Sequence, residues 1–260
     1  MLKKLSLTTL LFIWISTTGF TYKSSLPDDN RFDYLEFQIK NYYETLNDNL
    51  DKPAYPVFRN ALTGFFNLKN HKRIKNNILT IIDFTLASNV ERMWIIDLNR
   101  MKIIHRSLVS HGKNSGELYA NNFSNSPSSY KSSLGFYITG SIYRGQHGVS
   151  LLLEGIEKNI NDKAGERAIV IHSADYVSKV FVKHFGRLGR SQGCPAIPVK
   201  NHKQIIKTLA GGSCLYIYHS LTDYQSATKM YDKSGALEGM NLFIKESPEN
   251  TGVYKRFAGL

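Results

Sequence analysis

Cysteine is scarce in this chain, with only Cys194 and Cys214 among 260 residues. The pair is not in C-x-x-C spacing and the histidines are scattered, so no metal site and no cofactor is expected. No internal repeat is present, and no low-complexity tract beyond one loop rich in Ser and Asn. No apolar run reaches the about 20 residues of a membrane span. A phosphate-binding glycine loop is also missing, because GSIYRG and GRLGRSQG lack the Walker lysine and the strand-to-helix context. Acidic residues are the last shortage: 21 Asp and Glu stand against 33 Lys and Arg, a net charge of +12. Such a balance favours anionic surroundings.

What is present is globular. Hydrophobic residues make up 42% and charged residues 21%, and the length suits one sizeable core or a main domain with a smaller companion. The first residues, MLKKLSLTTLLFIWISTTGF, set Lys3 and Lys4 before an apolar run from about Leu5 to Ile15. Residues 1–24 therefore read as an export signal or, uncleaved, as a membrane anchor. The expected location is the periplasm or cell envelope, where the positive charge would meet wall polymers or lipid headgroups. Nucleic acid is not an expected partner, since no nucleic-acid motif is present. The basic cluster LKNHKRIK, residues 68–75, reads as the solvated face of a helix.

The hydrophobic period divides the remainder. Residues 28–88 predict a small helical segment: Leu35, Ile39, Tyr42, Tyr43 and Leu46 share one helix face, DKPAYP interrupts, and Tyr55–Leu68 and Ile74–Leu86 continue as helices. Residues 90–220 predict a β-rich domain. Within it MWIIDL and KIIHRSLV form a hairpin turning at Asn99-Arg100, and a long loop runs through GKNSGELYANNFSNSPSSYKSSLG. Strands follow at Gly135–Thr139, Gly148–Leu153 and Ala168–Ile171, with a last one in CLYIYHS. Two short helices lie between. One runs from Asp175 to Phe185, with Val177, Val180, Phe181 and Phe185 on one side. The other runs from about Val199 to Leu209 and is closed by Gly211-Gly212. Residues 221–260 form an extension, with an edge strand at Asn241–Ile244. The overall class is α+β.

Chemistry concentrates in RLGRSQGCPAIP, residues 187–198. Arg187 and Arg190 are cations that would lower the pKa of the Cys194 thiol. Gly193 leaves room for a carbonyl to approach, and the N–H groups of Gly193 and Cys194 are candidates for an oxyanion site. The best candidate for the missing base is His172 in AIVIHSAD, at a strand end and upstream of Cys194. A Cys–His pair of this kind suits acyl transfer through a thioester. For His111 and His147, each in a His-Gly pair, loop hydrogen bonding is the plainer role. Tyr143 and Arg144 either line the cleft or pack.

The segment IVIHSADYVSKVFVKHFGRLGRSQGCPAIP resembles the catalytic motif of the L,D-transpeptidases of YkuD type. It is closest to the branch described as murein L,D-transpeptidase catalytic domain proteins. SLVSHGKNSGELYANNFSNSPSSYKSSLGFY and YRGQHGVSLLLEGIEKNINDKAGERA extend the resemblance over about Val90 to Tyr218. It implies a YkuD-like β-sandwich with short helices. It also implies that Cys194 attacks a peptidoglycan stem peptide, releasing the terminal D-Ala, with His172 as base. Ser173 would orient the imidazole through its carbonyl, and Gly193 and Cys194 would hold the oxyanion. Arg187, Arg190, Ser191, Gln192, Tyr143 and His111 are then the candidates for substrate binding. One position departs from the family pattern, Ser-His-Gly-Cys: Gln192 stands where histidine is usual, so acid–base work falls on His172.

Three alternatives stay open at this level. A Cys194–Cys214 disulfide would remove the nucleophile. Water in place of an amine acceptor would make the chain an L,D-carboxypeptidase. A module that only binds the wall would need neither Cys194 nor His172.

Overall fold

A computed structural model describes residues 28–46 and 51–246. The predicted export segment and the end of the C-terminal extension lie outside the described residues. The elements in chain order are α1 (Asp28–Thr45), α2 (Tyr55–Asn70), β1 (Ile78–Asp83), β2 (Met93–Asp97), β3 (Lys102–Ser107), β4 (Gly135–Gly145) and β5 (Gly148–Gly155). They continue with β6 (Val170–Ser173), α3 (Lys179–Phe185), β7 (Ala196–Ile197), α4 (His202–Leu209), β8 (Cys214–Tyr218), α5 (Thr222–Ala227) and α6 (Lys233–Glu246). The fold is α+β with a predominantly sheet core, as the sequence predicts.

The strands make one sheet in the order β3-β2-β1-β8-β4-β5-β6-β7. β1 runs parallel to β8 and β6 parallel to β7, and the other neighbours are antiparallel. The sheet is rolled, because the chain leaving β3 reaches the opposite edge. Ser110 bridges Ala196 of β7, its N–H donating to the Ala196 carbonyl at 2.9 Å, and Gly112 bridges Ser191.

β1 corrects the sequence reading. Ile74–Leu86 was expected to be helical, yet ILTIID is a strand between β2 and β8, buried at every position after Ile78. A strand covered on both faces loses its two-residue alternation, and a short apolar run is then indistinguishable from a buried helix. The predicted edge strand at Asn241–Ile244 is likewise corrected. It lies within α6, where Ala236, Leu237, Met240 and Phe243 recur at helical spacing and are buried. LKNHKRIK is not a helix face either: α2 stops at Asn70, Leu68 and Ile74 are buried, and Arg73 pairs with Glu154.

Two of the short helices differ in detail. α3 begins only at Lys179, because Ser178 caps it by accepting from the Phe181 N–H at 3.2 Å. Val180 and Phe185 face outward at 66% and 63% exposure, so the expected apolar side is not a buried one. α4 ends at Ala210. The glycines after it join the sheet, Gly211 N–H donating to Gly140 and Gly212 N–H to Thr139.

Helices α1, α2 and α6 form a layer whose apolar faces merge with the sheet core. Tyr42, Phe65, Phe66 and Phe243 meet there with ring centroids about 6 Å apart. α6 approaches α2 closely at Gly239, where an added Cβ would stand 1.8 Å from the Phe66 carbonyl oxygen. Gly239→Ala should therefore cost on the order of 3 kcal/mol of unfolding free energy, measured by denaturant titration. Asn241→Ala, at an exposed position of the same helix, should leave the midpoint nearly unchanged.

Candidate active site

β6 and β7 bring together the two residues that the sequence pairs. His172 lies opposite Ala196 in their parallel ladder, and Cys194 stands two residues before Ala196. The thiol is thus set beside the N-terminal end of β6, where the Val170 N–H donates to Sγ at 3.5 Å and the thiol faces the Ala168 carbonyl at 3.7 Å. Residues two apart on a strand share a face. Val170 and His172 accordingly line one cleft of about 860 Å³ together with Cys194.

His172 has a defined tautomer. Its Nδ1 is 3.0 Å from the Ser173 carbonyl, which can only accept, so Nδ1 carries the proton and Nε2 keeps its lone pair. The contact the family pattern assigns to Ser173 is made. His172 itself is 3% exposed.

The turn before Cys194 is built by serines. Ser191 Oγ accepts from the Gly193 N–H at 3.0 Å and donates to the Cys194 carbonyl at 2.6 Å. Ser132 Oγ accepts from the Gly112 N–H and donates to the Gly193 carbonyl. The Gly193 N–H is therefore engaged in the turn. This corrects the expectation that it serves an oxyanion, and leaves the Cys194 N–H for that role. Gly193 adopts φ of +125°, and a Cβ there would meet the Lys131 carbonyl at 2.8 Å and the Arg167 guanidinium at 3.1 Å. Only glycine fits both requirements.

The long Ser/Asn loop is the platform under this turn. Its backbone is held by side chains and by Arg167, which donates to the carbonyls of Ser124 and Lys131 and to Ser133 Oγ. Beneath it lies a fully buried arginine that the sequence reading did not single out. Arg92 donates to the carbonyls of Leu86 and Val109 and to Nδ1 of His111, and its guanidinium covers the Phe84 ring. Since Arg92 can only donate, His111 is protonated at Nε2, which donates to the Gly116 carbonyl at 3.2 Å. Burial, with Arg92 alongside, pulls the imidazole down to about 4. His111 thus ties the loop to the sheet and does not line the cleft, correcting its placement among the substrate-binding candidates.

The remaining candidates divide. Tyr143, Arg190, Ser191 and Gln192 line the cleft, and Arg187 does not. Both arginines pair with Glu117, Arg187 Nε at 2.9 Å, so neither is the cation that acts on the thiol. Arg167 has that role. Burial pushes the Cys194 thiol up, while the Val170 N–H and then the Arg167 charge pull it back. Nothing in residue type separates Arg167 from the other basic residues of the chain. Burial pulls the His172 imidazole down, opposed by its bond to Ser173 and reinforced by His147. Both shifts favour the neutral form, of the thiol and of the imidazole. Both cysteines are free, which closes the disulfide alternative, and Cys214 is fully buried in β8.

The model of the L,D-transpeptidase catalytic domain family, YkuD_2, matches residues 50–218. The chain belongs to that family. Its members are peptidoglycan-modifying enzymes. Among solved structures, an L,D-transpeptidase from Mycobacterium smegmatis is similar at 10% identity, covering 55% of this chain and 59% of that one, with a TM-score of 0.35. The L,D-transpeptidase LdtMt1 in complex with imipenem is similar at 11% identity, covering 55% and 59%, with a TM-score of 0.34. A mutant of the helical cell shape determining protein Pgp2 from Campylobacter jejuni follows at 13% identity, 76% and 68% coverage and a TM-score of 0.36. The chain spans 59% of the length of each of the first two. No curated protein sequence matches it.

The electrostatics of this family member give a direct expectation. Alkylation of Cys194 by iodoacetamide should rise with pH through a midpoint above the ordinary thiol range, because burial raises the thiol pKa. Arg167→Met removes a charge that favours the thiolate, so its midpoint should lie higher still. A midpoint that falls in Arg167→Met would show that another group governs the thiol.

Proposed function

We propose that this chain is an exported, cysteine-dependent L,D-transpeptidase acting on peptidoglycan stem peptides through a thioester at Cys194. The observation that supports it most is that His172, with its Nδ1 tied to the Ser173 carbonyl, pairs with Ala196 two residues beyond Cys194 and lines the same cleft as the thiol. This is the arrangement a general base needs to take a proton from a neighbouring thiol.

In this reading, the thiol proton passes to His172 Nε2 as sulfur attacks the carbonyl carbon of the peptide bond preceding the terminal D-Ala. The oxyanion is met by the Cys194 N–H. The C–N bond then breaks, the imidazolium returns its proton to the departing amine, and a thioester remains. An amine acceptor attacks that thioester, His172 takes the amine proton, and as the C–S bond breaks the imidazolium passes that proton to sulfur, restoring the thiol and the neutral base. With water as acceptor the same site is an L,D-carboxypeptidase.

Neutral partners suit this cycle. Burial disfavours separated thiolate and imidazolium in the resting protein, so the charge pair forms as the substrate arrives and is consumed by the attack. Gln192, exposed at the rim, has an amide that can hydrogen-bond substrate and cannot carry a proton. The +12 charge suits an anionic wall, and export through residues 1–24 would deliver the chain to the periplasm or cell envelope.

Intact-mass spectrometry after incubation with a tetrapeptide muropeptide or a carbapenem tests the reading. A single adduct on Cys194 is expected, absent in Cys194→Ala. In His172→Ala it should form slower by roughly 10²- to 10⁴-fold through loss of the base. Full reactivity in His172→Ala would refute the base. No adduct on a demonstrably free Cys194 would instead favour a module that only binds the wall.

A further inference from the structure

The hairpin of β4 and β5 carries a histidine that the mechanism above does not use. The two strands remain paired out to Gly145 and Gly148, so only Gln146 and His147 form the turn. Residues 141–148 are all exposed, yet the His147 ring lies on the ring of His172 with centroids 4.2 Å apart and planes 19° from parallel. Its Nε2 accepts from the Gln146 amide at 3.1 Å. An exposed side chain at a hairpin tip has many conformations available. This one is held against the proposed base.

The geometry decides between two roles. Ring N–H groups and lone pairs lie in the plane of an imidazole, so two rings stacked face to face cannot pass a proton directly between them. His147 therefore does not replace the relay that Gln192 lacks. A stacked ring does limit how its partner can tilt. His172 is held at one edge by the Ser173 carbonyl, and the stacked face of His147 opposes the rotation about the Cβ–Cγ bond that would break that hydrogen bond. His147 and His172 both line the cleft.

We propose that His147 is a positioning residue for the reaction: by stacking on His172 it fixes the imidazole plane so that Nε2 faces the Cys194 thiol. The proposal rests on the transpeptidase reading for its kinetic consequence and on geometry alone for the stack.

Two measurements separate these dependences. The first is a long-range ¹H–¹⁵N spectrum of histidine-labelled protein, which reports the tautomer of His172 whether or not any substrate is turned over. The parent should show the single tautomer protonated at Nδ1, and His147→Ala a mixture of the two. His147→Phe, which keeps a ring face, should restore the single form. The second is the rate of Cys194 acylation by a carbapenem. The maximal rate should fall by about tenfold in His147→Ala, the size of one aromatic pair, with little change in the half-saturating concentration, and His147→Phe should recover most of the loss. An unchanged His172 tautomer in His147→Ala overturns the proposal. So does a loss in His147→Phe as large as in His147→Ala. A parent protein whose His172 responds as expected but which is not acylated would refute the transpeptidase reading and leave the stack standing.

Discussion

The site depends on a seam in the sheet. Eight strands in order leave β3 at one edge and β7 at the other, and the chain that follows β3 crosses to β7, pairing with it at Ser110 and with Ser191 of the preceding turn at Gly112. Without those bridges β7 would be a two-residue edge strand with little to hold it. With them, the turn carrying Cys194 is fixed between the end of β6 on one side and the Ser/Asn loop on the other. The buried Arg92 stands behind this seam, connecting Leu86, Val109 and His111 from a position with no exposure to water. Desolvation lowers its pKa to about 9, with Asp83 acting in the opposite sense. A buried cation is tolerated only where its donors are matched. Here three carbonyl contacts and one imidazole supply that match, and they also order the loop.

The polar loop and the catalytic pair follow different rules. The loop satisfies its backbone through Ser115, Ser124, Ser129, Ser132 and Asn114, whose short side chains substitute for a strand partner. The pair on β6 and β7 is positioned by the ladder itself and sits where burial disfavours charge on either group. Precision at Cys194 therefore derives from the neighbouring ladder together with the Ser191 and Ser132 hydroxyls of the turn before it, while the cations Arg187 and Arg190 are paired with Glu117.

Much of this was legible in the sequence. The β2–β3 hairpin, β4, β5, β6 and β8, the helix face of α1 and the candidates Cys194 and His172 all stood out by period, by turn residues or by motif. β1 did not, because ILTIID is apolar on both faces and its partner β8 lies far along the chain. α6 was missed because its apolar residues become a helix face only when α2 is known to lie opposite. Arg92, Arg167 and His147 were not assigned their roles because each acts through a long-range contact: Arg92 through Val109, Arg167 through Lys131, His147 through His172. His111 was over-read for the complementary reason, since a histidine beside glycine looks alike whether it faces a cleft or a buried guanidinium.

The parallel pairing of β1 with β8 has a consequence for the order in which the protein can assemble. Leu79 meets Cys214 and Asp83 meets Tyr218, so this central strand waits for a partner made much later than itself. Over that interval β1 lacks a neighbour on one side, and the aromatic face of α2 lacks α6. The centre of the sheet can therefore close only after β8 has been made, since non-local contacts of this separation form slowly. The topology makes the joining of the sheet's two halves, through β8, the last strand pairing to become possible.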